Sequence, residues 1–330
     1  MHCQKFIVFL KFSFQISLAS AVPGKAPCIE LNDGNKIPIL ALGTGRGTAG
    51  KAPVDEVREA VYWAIQAGYR HIDTAAAYQD ERQVGQGIAD AIRDGLVTRE
   101  DIFVTTKLWN DKHARNQVIP ALRDSLTELG LEYVDLYLIH FPIATKADDS
   151  PDDIDYLETW QGMEEARQLG LARSIGVSNF NVSQISRLYD NARIKPAVNE
   201  FEVNPTLTQE PLVAHCQRLG VVVMAYSPFG FTVSRNKETT PPPKYDDPTL
   251  VAMSQKYGKT PGQIVLRYLI ERGVIPIPKS TNKARLASNI DLFDFALTPQ
   301  EVATISAFNK NIRVIDIKEY ENYPNFPFSE

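Results

Sequence analysis

A strand and helix alternation that repeats along the chain after Pro27 is the strongest constraint on the fold. Short apolar, β-rich runs are followed by segments of helical period, many of which end at a glycine. Parallel strands need helical crossovers, and strands that are apolar on both faces are typical of a sheet covered by helices. The eight runs are 37–42, 70–73, 102–107, 134–140, 174–178, 197–201, 221–226 and 274–278. The pattern therefore predicts a (β/α)8 TIM barrel of one domain.

The alternative fold is an open, doubly wound sheet, which binds a dinucleotide at a glycine-rich first turn. That turn reads Leu42-Gly43-Thr44-Gly45-Arg46-Gly47 here, without the G-x-G-x-x-G spacing, so the closed barrel is favoured. The helical segments include 54–67, 81–93, 118–129, 156–169, 209–219, 261–271 and 283–290.

Composition excludes several classes of protein. Hydrophobic residues make up 44% and charged residues 23% of the 330, which is typical of a large globular core and not of a membrane bundle or a disordered chain. The net charge of -5 provides no overall positive field for nucleic acid or an anionic membrane. Cys3, Cys28 and Cys216 are too few and too far apart for a disulfide framework or a thiolate metal site. No obligate partner is indicated, so we expect a monomer.

The first 21 residues have the features of a secretory signal peptide. A short basic region precedes an apolar run, and Ala19-Ser20-Ala21 matches a signal-peptidase site. We expect a secreted mature chain of residues 22–330. Lys11 interrupts the apolar run, and a cytoplasmic chain with an uncleaved extension is the alternative. Asn181-Val182-Ser183 is a formal glycosylation sequon, but its place after a strand favours a helix N-cap.

Polar residues mark which end of the barrel carries function. A single ionisable residue at a strand end is usually a solvated surface group. Here several predicted strands end in such residues, and the carboxyl ends of barrel strands meet at one mouth. These residues are Asp73, Lys107, His140, Ser178, Asn179, Glu200, Lys279 and Ser280.

Asp73, Tyr78, Lys107 and His140 form a chemically coherent set. If they meet, Asp73 can hold the Lys107 ammonium against the Tyr78 hydroxyl by a charge-assisted hydrogen bond. We expect that cation to lower the pKa of Tyr78 from its usual value of about 10 and to make it a usable proton donor. His140 can orient a substrate oxygen. Motifs for a nucleophile or a metal are missing from the sequence, so the set fits protonation of a carbonyl while a separate reductant delivers hydride.

Six motifs resemble those of the aldo-keto reductases. They are GYRHIDTAAAY, FVTTKLW, DLYLIHFP, SIGVSNF, AYSPFG and IPKS, in this order and at these spacings, within a match from about Leu31 to Phe308. The resemblance implies a catalytic tetrad of Asp73, Tyr78 as acid, Lys107 and His140, with NADPH extended over the barrel mouth.

The resemblance also implies which residues hold the cofactor. It assigns the nicotinamide end to Ser178, Asn179, Glu200 and Tyr226, and further contacts to Gly43, Thr44, Ser227 and Phe229. Positions that hold the 2′-phosphate and adenine correspond to Lys279, Ser280, Arg285 and Asn289. Because Lys279 and Arg285 can neutralise a phosphate dianion, NADPH is predicted over NADH.

Some positions depart from the pattern of the family. Glu200 stands where the family usually has Gln, and it cannot donate to the carboxamide oxygen unless it is protonated. Gly45 and Phe141 replace pocket tryptophans of many relatives, which predicts a wider mouth, lined also by Trp109.

Three segments are expected to set substrate specificity because binding residues commonly lie on loops over a rigid scaffold. They are 142–155, 229–247 and the C-terminal loop 309–330, whose aromatic residues are Tyr320, Tyr323, Phe326 and Phe328. These loops resemble those of the insect branch that includes 3-dehydroecdysone 3β-reductases, which implies a ketosteroid substrate, such as an ecdysteroid in the haemolymph. A broad-specificity aldehyde or aldose reductase is the alternative, and a non-catalytic NADPH-binding barrel is the second alternative.

Overall fold

The structure is a computed structural model, which describes residues 26–46, 52–232 and 243–328. The predicted signal peptide (1–21), Cys3 and the central part of the predicted loop 229–247 lie outside the described residues.

An antiparallel hairpin precedes the barrel. Its strands are β1 (Cys28–Glu30) and β2 (Lys36–Pro38), and Ile29 lies opposite Ile37. The hairpin covers the amino-terminal end of the barrel, where the Asn35 side chain donates to Ser174 Oγ at 3.0 Å. The prediction of a single strand over 37–42 is therefore wrong. The start of that run pairs with β1, and only its last residue enters the barrel.

Eight parallel strands, β3 to β10, form the barrel and pair in chain order. The sheet closes where Ala41 N–H donates to Pro276 O and Gly43 N–H donates to Pro278 O, both at 3.2 Å. The strands are β3 (Leu42–Gly43), β4 (His71–Asp73), β5 (Phe103–Leu108), β6 (Val134–Ile139), β7 (Ala172–Ser178), β8 (Val198–Glu202), β9 (Val222–Tyr226) and β10 (Val274–Pro276). The predicted (β/α)8 fold is confirmed, and seven of the eight predicted strands lie within two residues of the observed bounds.

Helices connect and cover the strands. Those of the described chain are α1 (Glu56–Ala67), α2 (Glu81–Arg93), α3 (Arg115–Leu129), α4 (Tyr156–Gln168), α5 (Val182–Asn191), α6 (Glu210–Arg218), α7 (Pro248–Tyr257), α8 (Pro261–Glu271), α9 (Lys283–Ile290) and α10 (Pro299–Ser306). Each predicted helix agrees with an observed one to within three residues.

Local chemistry explains several helix ends. The N-cap prediction at Asn181 is confirmed: its side chain accepts from Gln184 N–H, and the Gln184 side chain returns a bond to the Asn181 backbone. Gly130 ends α3 with a positive φ of 65°. Cys28 is exposed, Cys216 is buried, and both are free. Among the described helices, none combines the length and apolar character that a membrane span needs.

Candidate active site

The four predicted catalytic residues meet at the carboxyl end of the barrel. Asp73 ends β4, Lys107 lies near the end of β5, and His140 directly follows β6. Tyr78 lies on a one-turn helix, Ala76–Tyr78, in the loop after β4. Lys107 Nζ donates to Asp73 Oδ1 at 2.7 Å and to the Tyr78 hydroxyl oxygen at 3.4 Å. The predicted arrangement of lysine, aspartate and tyrosine is therefore present.

The Lys107 ammonium is enclosed by oxygen atoms. Besides Asp73 and Tyr78, it donates to Thr74 O at 3.1 Å, and Glu200 Oε1 lies 3.3 Å from Nζ. Burial lowers the pKa of Lys107, but the negative charge of Asp73 raises it, as does that of Glu200 when Glu200 is ionised, and the net pKa lies well above the ordinary value. The side chain is therefore a permanent cation.

The predicted direction of the Tyr78 pKa is wrong. Burial raises this pKa and is the largest influence on it; the charge of Asp73 raises it further, as does that of Glu200 when Glu200 is ionised. Lys107 lowers the pKa of Tyr78 as expected, but one cation does not offset the loss of hydration around this partly buried phenol. Tyr78 therefore keeps its proton and is an O–H donor, which is the form that a general acid requires.

His140 is neutral and lies among aromatic rings. Burial, followed by the charge of Lys107, holds the pKa of His140 well below its usual range. The His140 ring centroid lies 5.6 Å from that of Tyr78 and 5.1 Å from that of Trp109, both edge to face. The Phe141 ring stacks on the imidazole at 5.2 Å with an interplanar angle of 11°. A neutral imidazole carries one N–H and can donate it to a substrate oxygen.

Gly45 lies directly against the face of Tyr78. An ideal Cβ built on Gly45 would lie 2.9 Å from Tyr78 Cζ, closer than real Cβ contacts allow. A larger side chain on this backbone would displace the ring. Gly45, a predicted pocket residue, therefore lies beside Tyr78. Because glycine has no side chain, the phenol ring has room at this position.

The C-terminal tail, residues 309–328, packs on the barrel mouth. A second apolar cluster, separate from the main core, joins pocket residues to residues of the tail. Its members are Trp109, Phe141, Ile143, Ile315, Ile317, Tyr320, Tyr323, Phe326 and Phe328. The tail thus brings its predicted aromatic residues to the same cluster as Trp109 and Phe141.

Glu202 anchors this tail, and it is not among the residues predicted from the sequence. Its carboxylate is fully buried and accepts from Val314 N–H at 2.8 Å and from Ile315 N–H at 3.0 Å. Glu202 follows Glu200 by two residues on β8, so both side chains face the same side of the strand. This spacing is the signal that could have identified Glu202.

The predicted nicotinamide contacts form a connected network at the ends of β7 and β9. Tyr226 OH donates to Asn179 Oδ1 at 2.8 Å, and Asn179 Nδ2 donates to His140 O at 2.9 Å and to Ser178 Oγ at 3.1 Å. Asn179 and Ser227 have positive φ angles of 63° and 47°. Asn adopts this left-handed conformation readily, whereas it is uncommon for Ser, and strained residues often cluster at functional sites.

The end of β3 is organised by a residue that sequence reasoning missed. Asp80 is buried, and its Oδ1 accepts from Thr44 Oγ1 at 3.3 Å and from Thr74 Oγ1 at 2.8 Å. Asp80 thereby links the predicted cofactor residue Thr44 to the residue whose carbonyl holds Lys107. At Gly43, a Cβ would lie 2.9 Å from Ile277 Cγ2, so barrel packing also requires this glycine.

A cluster of positive charge lies beyond β10. Burial lowers the pKa of Lys279; Glu56, 3.9 Å away, raises it, and the charges of Arg46 and Arg285 lower it further. Arg285 Nε donates to Ser280 Oγ at 3.4 Å. Cations that repel one another in a half-buried site are suited to a phosphate dianion. Asn289 is buried on α9, and Phe229 packs partly buried against the core.

A separate groove of about 780 Å³ lies between the tail and the residues around α5 and α6. Its lining includes Asn179, Phe201 and Arg313 but not Tyr78 or His140. Because it lacks the acid and base groups, the reaction is assigned to the barrel mouth. Across residues 26–46, 52–232 and 243–328, no group of three His, Cys, Asp or Glu side chains could hold a metal ion.

A (β/α)8 barrel with an Asp, Lys, Tyr and His set at its mouth defines a class of oxidoreductase that acts on carbonyl compounds. The family model described as "Aldo/keto reductase family" matches residues 40–310. The chain therefore belongs to the aldo/keto reductase family. Aldo-keto reductases are NADP-dependent oxidoreductases acting on carbonyls and alcohols, and this chain is an enzyme of that kind.

Individual relatives agree with this assignment. Aldo-keto reductase AKR2E4 of Bombyx mori is 73% identical over 304 residues, covering 92% of this chain and 99% of that protein. Its crystal structure in complex with NADP matches with a TM-score of 0.91 over 93% of this chain and 100% of that chain. Aldo-keto reductase family 1 member A1 of Gallus gallus is 40% identical over 323 residues, covering 92% of this chain and 97% of that protein.

Proposed function

We propose that this enzyme reduces a ketone or aldehyde with Tyr78 as the general acid. The observation that carries the proposal is the Lys107 ammonium, which is held at 2.7 Å by Asp73 and lies 3.4 Å from the Tyr78 hydroxyl oxygen. As hydride reaches the carbonyl carbon and the carbonyl oxygen gains negative charge, Tyr78 can transfer its hydroxyl proton to that oxygen, and the adjacent ammonium stabilises the phenolate that remains on Tyr78. His140, neutral and beside Tyr78, orients the same oxygen.

NADPH is the proposed cofactor, and it supplies hydride when bound. A crystal structure of the related AKR2E5 is complexed with NADPH and matches with a TM-score of 0.90 at 44% identity, covering 92% of this chain and 94% of that chain. Lys279 and Arg285 would bind the 2′-phosphate, with Ser280 positioned by its bond to Arg285. The Asn179, Ser178 and Tyr226 network would hold the nicotinamide end.

The proposed substrate is a 3-ketosteroid, with 3-dehydroecdysone reduced to ecdysone. The support is the similarity of the loops to the insect branch and the 73% identity to an insect enzyme. The aromatic and aliphatic cluster of the tail beside Trp109 and Phe141 would provide an apolar wall for a steroid ring system. We further propose that the chain is secreted after removal of residues 1–21 and that it acts as a monomer.

A substrate panel tests the proposal. NADPH oxidation should be measured with 3-dehydroecdysone, nitrobenzaldehyde and xylose. Turnover of the ketosteroid at micromolar concentration supports the steroid assignment, and its absence with rapid turnover of the aldehyde or sugar would favour the broad-specificity alternative.

Tyr78→Phe tests the catalytic role separately from cofactor binding. The variant removes only the hydroxyl, so reduction should be abolished while NADPH affinity, measured by quenching of protein fluorescence, stays nearly unchanged. If the wild type and Tyr78→Phe show the same trace activity, the non-catalytic NADPH-binding barrel is the better description.

A further inference from the structure

Two carboxylates share one ammonium in the sealed part of the site. Lys107 Nζ lies 2.7 Å from Asp73 Oδ1 and 3.3 Å from Glu200 Oε1, and the three side chains are 0%, 4% and 1% exposed respectively. Among the described residues, Lys107 is the only cation that forms an ion pair with either carboxylate. With both acids ionised, the cluster would hold an excess negative charge away from bulk solvent, which is strongly unfavourable.

Hydrogen bonding also indicates that the Asp73 and Glu200 carboxyl groups share one proton. Asp73 Oδ2 and Glu200 Oε2 are buried, and no protein donor among the described residues reaches either atom. The two carboxyl groups interact directly with each other. One proton on the pair supplies the missing donor and cancels the excess charge.

The proton belongs on Glu200 because Asp73 makes the shorter contact with the ammonium. Burial, followed by the charge of Asp73, raises the pKa of Glu200 to about 8. No second compensating charge for Glu200 comes from the described groups nearby: Asp80 is a further acid, and the cation Arg313 acts on Tyr226 and Glu202. Tyr78, His140 and Tyr226 are neutral, and Glu202 is satisfied by the backbone of the tail.

We propose that Glu200 is a neutral carboxylic acid in the free enzyme at pH 7 and that it distinguishes the two oxidation states of the cofactor. The oxidised nicotinamide ring carries a positive charge, and the reduced ring is neutral. NADP⁺ therefore favours the Glu200 carboxylate, and its binding releases the Glu200 proton to solvent, whereas NADPH leaves that proton in place. This inference rests on the proposed placement of the nicotinamide beside Glu200.

Proton linkage gives the expected size of the effect. Because binding of NADP⁺ releases one proton, its affinity rises with pH by up to about tenfold per pH unit, as long as Glu200 is protonated in the enzyme without cofactor. Binding of NADPH releases no proton from Glu200, so its affinity does not change with pH in this way. The affinity for NADP⁺ relative to that for NADPH therefore rises with pH. The enzyme would favour carbonyl reduction at lower pH and alcohol oxidation at higher pH through one buried carboxyl group.

Isothermal titration calorimetry of the full chain at pH 7, in phosphate and in Tris, tests this directly. The two buffers have different ionisation enthalpies, so the difference in binding heat counts protons released. Subtracting the NADPH value from the NADP⁺ value removes any contribution from the 2′-phosphate, which both cofactors share. We expect a difference approaching one proton in the wild type and no difference in Glu200→Gln, which keeps the shape of the side chain.

Glu81→Gln is the matched control. Glu81 is also a buried carboxyl group, and burial raises its pKa. It accepts a hydrogen bond from Thr106 Oγ1 and lies outside the nicotinamide contacts. Glu81→Gln should show the same difference in proton release between NADP⁺ and NADPH as the wild type. Equal proton release for both cofactors in the wild type, or a difference that persists in Glu200→Gln, would overturn the inference. Failure of either cofactor to bind the wild type would instead overturn the proposed function and this inference with it.

Discussion

Glu202 holds the C-terminal tail on the barrel, and Glu202→Gln is expected to loosen it. The carboxylate accepts from Asn204 Nδ2 and Val314 N–H through Oε1 and from Ile315 N–H through Oε2. Glutamine has a single acceptor oxygen. In either orientation of the amide, one tail N–H loses its acceptor and faces an NH₂ group, while the remaining bonds lose their charge assistance.

The structure sets the size of this effect. A hydrogen bond to a charged group contributes about 1.5–3 kcal/mol, and an unsatisfied buried donor costs about 1–3 kcal/mol. Because these contributions overlap, we expect tail docking to weaken by about 2–4 kcal/mol. At about 1.4 kcal/mol per factor of ten, opening of the tail becomes roughly 30- to 700-fold more frequent.

Hydrogen exchange at the Val314 and Ile315 amides measures this opening. Glu164→Gln is the control, because Glu164 is also buried and its Oε1 accepts from Arg193 N–H and Ile194 N–H, both at 2.8 Å. The control should leave exchange in the tail unchanged. Wild-type protection of residues 314 and 315 in Glu202→Gln, with intact folding, would refute the role of Glu202 as the anchor.

Three further predictions concern the phenol, the basic cluster and a buried histidine. Gly45→Ala should lower kcat about 10- to 100-fold because the methyl group displaces Tyr78 from the Lys107 ammonium; an unchanged kcat in steady-state kinetics would contradict this. Arg285→Met should raise the Kd for NADPH much more than that for NADH, and an equal loss in fluorescence titrations would remove the phosphate assignment. Burial lowers the pKa of His113 to about 3, so protonation of the unfolded chain below about 6.5 reduces stability as pH falls. In urea unfolding, His113→Asn should therefore lose about 1.5 kcal/mol less than the wild type between pH 6.5 and 5.

Much of the site could be predicted because strand ends converge in a barrel. Asp73, Lys107 and His140 end neighbouring strands, and their meeting follows from strand position alone. Glu202 and Asp80 were missed because their roles depend on partners far along the chain or on loop geometry: Glu202 binds a tail more than 100 residues away. The spacing of Glu200 and Glu202 indicates a shared face of β8, but no local pattern in the sequence indicates the contact with the tail.

The amino-acid sequence by itself determined the order of strands and helices, the bounds of helices such as Glu81–Arg93, and the set of acid and base groups at the mouth. These features depend on local periodicity and capping, which act over a few residues. Only the tertiary structure decided the division of 37–42 between hairpin and barrel and the protonation of Tyr78. Strand pairing and the loss of hydration around a side chain both depend on residues that are distant in the sequence and come together only when the chain folds.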